Sequence, residues 1–168
     1  MNDTPRISNA QLAEAQADAL GGDGRQYITF FANGQEFASD IMLIREIHGW
    51  SDITPLPHVP DYVRGLINLR GMILPVIDLK AKLGLGLTEI TPKHVIIVAH
   101  NEGRATGILV DAVSDIITLR PADIQPTPDL TENGNDACLE GMAVFEDRMV
   151  TVLRTNSLSA DLLGAQTL

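Results

Sequence analysis

The stretch that most restricts the fold is GLINLRGMILPVIDL, Gly65 to Leu79, an almost unbroken apolar run with Arg70 and Gly71 at its middle. A guanidinium stays charged at any working pH, so it cannot be buried alone among leucines and isoleucines. The run and the charge are reconciled by a strand, a turn and a second strand, with Arg70 displayed at the turn. Pro75 falls in the second of these strands and removes a ladder donor, so an edge position or a bulge is expected there.

The same texture runs through the chain from Gln26. QYITFF, ANGQ and EFASDI read as a hairpin turning at Asn33-Gly34, a pair that tolerates the positive φ of a tight turn. MLIREI is short enough to be strand or helix. TPLPHVP is no central strand, because Pro55, Pro57 and Pro60 lack donors. DLKAKLGL reads as one or two helical turns, with Asp78 as cap and Gly84 as stop. The second half follows the same order. HVIIVAH, NEGR and ATGILVDAV form a further hairpin, SDIITL (114–119) echoes SDITPL (51–56), and GMAVFEDRMVTVL is another strand–turn–strand. Gly141 and Met149 correspond there to Gly65 and Met72, and NSLSADLLG closes as a short helix capped by Asn156 or Ser157. Short strands at such spacing favour barrels, which leave few open edges. Two similar small β-lobes are the economical architecture, and 168 residues suffice for two lobes sharing a core.

Residues 1–25 stand apart. SNAQLAEAQADALGG has an N-cap candidate in Ser8, but Ile7, Leu12 and Leu20 are its only large apolar residues. A flexible or partly helical extension is expected.

Charge and composition exclude several roles. The net charge of −10, from 12 Lys+Arg against 22 Asp+Glu, disfavours nucleic acid and anionic membrane surfaces as partners. No window approaches the roughly 18 apolar residues of a membrane helix, and a secretory layout is lacking, so the cytoplasm is the expected compartment. Single Cys138 permits no internal disulfide and reads as a plain thiol. Nucleotide loops and hydrolase or zinc-protease motifs are missing; GLGLTE at 84–89 lacks the third glycine of a dinucleotide loop. His48, His58, His94 and His100 share no ligand spacing. Asp52, Asp78, Asp111 and Asp115 lie near strand ends, where capping is their common use.

Three residues stand out. Arg70 is either a turn-tip residue bonded to a nearby carbonyl or carboxylate, or an interface arginine. Glu46 lies in the apolar MLIREIHGW, where alternation sets Leu43, Arg45 and Ile47 against Ile44, Glu46 and His48: a solvated face, or an edge offered to a partner strand. Trp50 is a core lid or a partner anchor.

RGLINLRGMILPVIDLKAKLG strongly resembles the signature of the CheW family, the adaptors of bacterial chemotaxis. FANGQEFASDIMLIREI resembles that family's first hairpin and following strand, GILVDAVSDIITL its central Gly-x-x-Val-Asp segment, and GMAVFEDRMVTVLRTNSLSADLL its last strands. The likeness spans residues 26–163 in continuous order and leaves 1–25 and a tail, 164–168, outside. It implies a mainly all-β fold of two intertwined five-stranded SH3-like barrels with a few short helices, and no catalysis, cofactor or metal.

The resemblance also implies partners and sites. They are the regulatory domain of a CheA-type histidine kinase and the cytoplasmic tip of chemoreceptors, engaged by a cytoplasmic protein recruited to membrane-associated arrays without inserting. Arg70 and Glu46, with Asn68 and Gly71, match residues associated with receptor coupling. Val95, Gly107 and Ile116 match positions around a receptor-facing groove, and Ile44 and Gly65 match positions of kinase contact. An adaptor for surface motility or development fits the same likeness; a small β-barrel enzyme or ligand-binding domain is the alternative of another class.

Overall fold

The computed structural model describes residues 7–18, 24–101, 103–126 and 138–158. Helix α1 (Asn9–Asp18) comes first, and two-residue turns then set the strand boundaries. Asn33 and Gly34 take φ of 54° and 75°, the geometry that lets a turn follow the twist of its strands. They join β1 (Arg25–Ala32) to β2 (Gln35–Asp40). MLIREI divides between the two structures open to it: Asp40 caps a 3-10 turn at Ile41–Leu43, and β3 (Ile44–Gly49) follows. Arg70 and Gly71, at φ 50° and 88°, join β4 (Val63–Leu69) to β5 (Met72–Asp78). Asp78 caps α2 (Leu79–Lys82), and Gly84, at φ 77°, ends it.

The second half contributes β6 (Val95–Asn101), β7 (Arg104–Val110), β8 (Ala112–Leu119), β9 (Leu139–Phe145) and β10 (Arg148–Leu153). A helical turn over 155–158 starts one residue before the expected cap at Asn156. The remainder of the expected helix, the loop TPDLTENGND and residues 164–168 lie outside the described residues.

The ten strands form two five-stranded sheets, in the orders β8-β1-β2-β10-β9 and β3-β6-β7-β5-β4. The orders match position for position: a hairpin (β1–β2 or β6–β7) pairs antiparallel on one side (β8 or β3) and parallel on the other (β10 or β5). Each lobe therefore takes its hairpin from one half of the chain and its other three strands from the other half. The lobes are intertwined by this exchange.

Burial explains the continuous apolar runs. In β6, Val95, Ile97 and Ala99 enter a central cluster shared by both sheets, while Ile96 and Val98 fill the interior of their own lobe. In β7, Ile108 and Val110 face the shared core and Leu109 the lobe interior; in β1, Ile28 and Phe30 face the shared core and Tyr27 its own lobe. Strands covered on both faces read as solid apolar segments rather than as alternation.

The exchange also corrects the internal echo. SDIITL lies within β8, whereas SDITPL follows β3. The structural counterpart of Asp52-Ile53-Thr54-Pro55 is Asp123-Ile124-Gln125-Pro126: Thr54 bridges Leu66, and Gln125 bridges Met142 in the same antiparallel manner. Gly65 and Gly141 do correspond. A Cβ on Gly65 would lie 2.1 Å from the Thr54 carbonyl oxygen and 2.8 Å from Ile53 Cγ2; on Gly141 it would lie 2.3 Å from the Gln125 oxygen and 2.8 Å from Ile124 Cγ2. Met149 aligns with Ile73 instead of Met72, since Asn68 pairs Ile73 and Val144 pairs Met149.

Two further readings change. Pro75 is not on an edge strand, for β5 lies between β4 and β7. It precedes the parallel pairing with β7, which begins at Val76, so the missing N–H costs no ladder bond in that stretch. A register shift at Val63/Gly65 makes Arg64 a bulge residue opposite the same strand. In β3, a shift between Ile44 and Glu46 breaks the alternation, so Ile44 and Ile47 both enter the shared core.

The Arg64 bulge has a partner. Asp78 is fully buried, and its carboxylate accepts from Arg64 Nη1 at 2.9 Å, Thr88 N–H at 2.8 Å, Thr88 Oγ1 at 2.6 Å and the Ala81 N–H at 3.4 Å. Arg64 Nη1 also donates to the Thr88 carbonyl at 2.9 Å. One carboxylate thus joins the β4 bulge, the start of α2 and the loop before β6, with its oxygens satisfied.

Asp78→Ala is expected to cost about 3 kcal/mol or more, because it leaves the part-buried Arg64 charge and the Thr88 donors without their acceptor; urea unfolding midpoints check this. Gly65→Ala and Gly141→Ala are each expected to destabilise by about 2 kcal/mol through the clash with the bridging strand. Their melting temperatures should fall together, whereas Gly34→Ala, in open space, should lose less.

Candidate functional site

The turn between β4 and β5 carries the charge that the apolar run cannot bury. Arg70 occupies a left-handed backbone position that side chains other than glycine adopt at a cost. Asn68 secures it from within, its Oδ1 accepting the Gly71 N–H at 2.9 Å. Glu46, on β3, supplies the counter-charge: Arg70 Nη2 lies 2.7 Å from Oε1 and 2.9 Å from Oε2. The β3 bulge turns Glu46 out of the core while Ile44 and Ile47 stay in it.

The pair is lopsided. The Arg70 side chain is 72% exposed and that of Glu46 only 13%. Glu46 raises the guanidinium's already high pKa, by hydrogen bonding first and by charge second, so Arg70 is a fixed cation. One guanidinium nitrogen makes both contacts with Glu46, and a guanidinium has five N–H donors in all. The arrangement holds a cation at a defined place and leaves its fork open to a carboxylate or carbonyl of another molecule.

Sequence reasoning missed two neighbours. Ile73 pairs Asn68 across the turn and is 66% exposed, which sets a bare apolar surface beside the arginine. Pairing about the two-residue turn was the available signal, because it puts Ile73 on the same outward parity as Asn68. Arg45, the extra residue of the β3 bulge, reaches Met72 Sδ at 3.8 Å. No motif marks it.

The other expected site residues are placed elsewhere. Val95 and Ile44 are buried in the shared core, and Ile116, on β8 of the other lobe, packs against it half-buried. Gly107 lies where β7 passes close to its neighbours, with Ile96 Cγ2 2.8 Å from an added Cβ. Gly65 is the bridge glycine described above. These five act through packing and backbone approach; Arg70, Glu46 and Asn68 alone form a displayed group among them. Trp50 is half-buried.

His94 and Asp111 serve the framework. His94 Nε2 lies 3.1 Å from Asp111 Oδ1, the Thr91 N–H donates to Nδ1 at 3.0 Å, and Asp111 Oδ2 accepts the Asn33 N–H at 3.1 Å. The imidazole thereby ties the loop before β6 to two turns. Cys138 is buried in the shared core. No group of three or more His, Cys, Asp or Glu among the described residues is arranged to hold a metal. The counterpart of Arg70-Gly71 in the other lobe is Glu146-Asp147, also at positive φ (49° and 65°), so the two lobes present tips of opposite charge.

Comparison with known proteins agrees with this architecture. The chemotaxis protein CheW of Rhizobium meliloti is 46% identical over 142 residues, covering 84% of this chain and 92% of the relative. A probable chemotaxis protein CheW of Rhizobium etli is 41% identical over 143 residues, covering 85% and 92%. The crystal structure of the scaffolding protein TtCheW from Thermoanaerobacter tengcongensis superposes with a TM-score of 0.71 at 31% identity, covering 80% of this chain and 86% of that one. The family model for the CheW-like domain matches residues 26–162, from the second residue of β1 to beyond β10. With two exchanged five-stranded lobes and a match that runs through both, this chain belongs to the CheW-like domain family.

Proposed function

We propose that the chain is a non-catalytic chemotaxis adaptor that couples chemoreceptors to a CheA-type histidine kinase. The observation that carries the reading is the continuous match to chemotaxis CheW proteins across both lobes. The displayed turn gives it a mechanism. An adaptor must present directional contacts without chemistry, and Arg70, held by Glu46 beside exposed Ile73, offers a cation with an apolar flank. Arginine next to apolar surface is a common composition of binding hot spots. Arg70 and Glu46 serve the receptor's cytoplasmic tip, while the kinase's regulatory domain engages a surface supported by Ile44 and Gly65. Both act from the cytoplasmic side, with recruitment to receptor arrays through these contacts; no described helix is long and apolar enough to cross a membrane.

Affinity in the micromolar range, about −8 kcal/mol, suits contacts that must exchange while arrays gain strength from many linked copies.

Calorimetric titration with the regulatory domain of the kinase from the same organism tests the reading. Saturable binding near one-to-one is expected; absence of binding to both kinase domain and receptor tip would remove the adaptor role. Arg70→Ala should leave the melting temperature within a few degrees, because an exposed pair contributes little to stability, yet weaken the receptor complex about tenfold. The charge-exchanged double variant Glu46→Arg/Arg70→Glu separates the roles. It remakes the internal pair but reverses the displayed charge, so binding should stay lost; recovery would show that the pair matters only to the fold.

A further inference from the structure

Strand β3 ends its sheet, paired with β6 on one side only. Its outer side faces α1. Asn9 uses its side-chain amide as a strand would use its backbone: Oδ1 accepts the Ile47 N–H at 2.7 Å, and Nδ2 donates to the Ile47 carbonyl at 3.1 Å. Gln16 Nε2 donates at 2.7 Å to both the Ile44 and the Ile41 carbonyls. Two amide side chains, seven positions apart on one helix face, thus occupy three backbone groups along this edge and the Ile41 carbonyl of the turn before it. Ile7, Leu12 and Ala15 anchor the helix in the shared core. We propose that α1 is an internal guard on β3, and that its departure lets β3 pair antiparallel with β3 of a second copy.

The strand's own sequence selects that occupant. In Ile44–Gly49, IREIHG, a two-fold centred on Ile47 lets the two Ile47 residues exchange both backbone bonds that Asn9 now makes. Glu46 then faces His48, and Arg45 faces Gly49, with no like charges opposed. An uncovered edge of this kind is a template for self-pairing, and covering it with a helix is a recognised protection. The guard is also built to exchange. It has ten residues, with no acidic group in its first turn and no basic group in its last to support its dipole, and a helix this short is marginal alone. The capping box of Ser8 and Gln11 orders its start, but docking holds it.

The test uses the full chain, with amide exchange at Ile47 and sedimentation at several concentrations. In the parent, Ile47 should be protected and the protein free of β3 dimers. Leu12→Asp, which expels the helix from the core, should speed Ile47 exchange about tenfold or more while Ile97 and Ile108 stay protected, and should produce a concentration-dependent dimer. Adding His48→Glu sets a carboxylate against Glu46 across the two-fold and should return the protein to monomer. If Leu12→Asp fails to fold, Asn9→Ala/Gln16→Ala is read in the same way. Unchanged exchange at Ile47, a monomer with Ile47 exposed, or a dimer indifferent to His48→Glu overturns the proposal.

Discussion

The hairpin of each half of the chain completes the sheet of the other half, and most of the structure follows from that exchange. A hairpin inserted between strands of the opposite half has one face in the lobe it completes and its other face against the remaining lobe. Its residues must then be apolar at both parities, as Ile96 and Ile97, or Leu109 and Ile108, are. The shared core is what such doubly buried strands make when two lobes meet. The requirement extends to backbone approach. Gly65 and Gly141 let the segments at Thr54 and Gln125 close each sheet.

Polar groups are admitted to this framework only with partners. Asp78 is the clearest case, a buried carboxylate whose four donors come from three separate pieces of chain. The Arg64 bulge exists at the point where its guanidinium can reach that carboxylate. The Arg70–Glu46 pair works on the opposite principle. It adds little to stability, since one partner is largely in water, and the left-handed turn costs strain. What the strain and the half-buried glutamate yield is position, a cation held at the end of a stiff hairpin.

Local chemistry made much of this legible in the sequence. Asn33-Gly34 and Arg70-Gly71 mark turns because few pairs accept positive φ, and an arginine amid leucines has to be displayed. What escaped were features set by distant partners. The bulge at Arg45, which reverses the expected facing of Ile47, is fixed by pairing with β6 and leaves no local mark. The true echo, DITP with DIQP, was hidden because SDIITL shares more letters but sits in a strand of another position. Pro75 suggested an edge or a bulge because proline forbids a bond, whereas the fold simply begins the parallel pairing one residue later. Few apolar residues in the first 25 gave no sign of what a helix there packs against. Ile7, Leu12 and Ala15 reach the core, and Asn9 and Gln16 add amides that signal nothing until a strand edge lies beside them.

The exchanged hairpins also govern how the chain can be made. The hairpin of β1 and β2 ends at Asp40 and β10 at Leu153, so 153 − 40 leaves 113 residues between the first hairpin and completion of its lobe. At about 5–20 residues per second of synthesis, the apolar face of β1–β2 waits for roughly 6–23 s before its last partner exists. The lobe of β3 to β7 has all its strands once Val110 is made. The lobe of β1 and β2, by contrast, can close only after nearly all of the chain has been made, and its earliest strands need protection in the meantime.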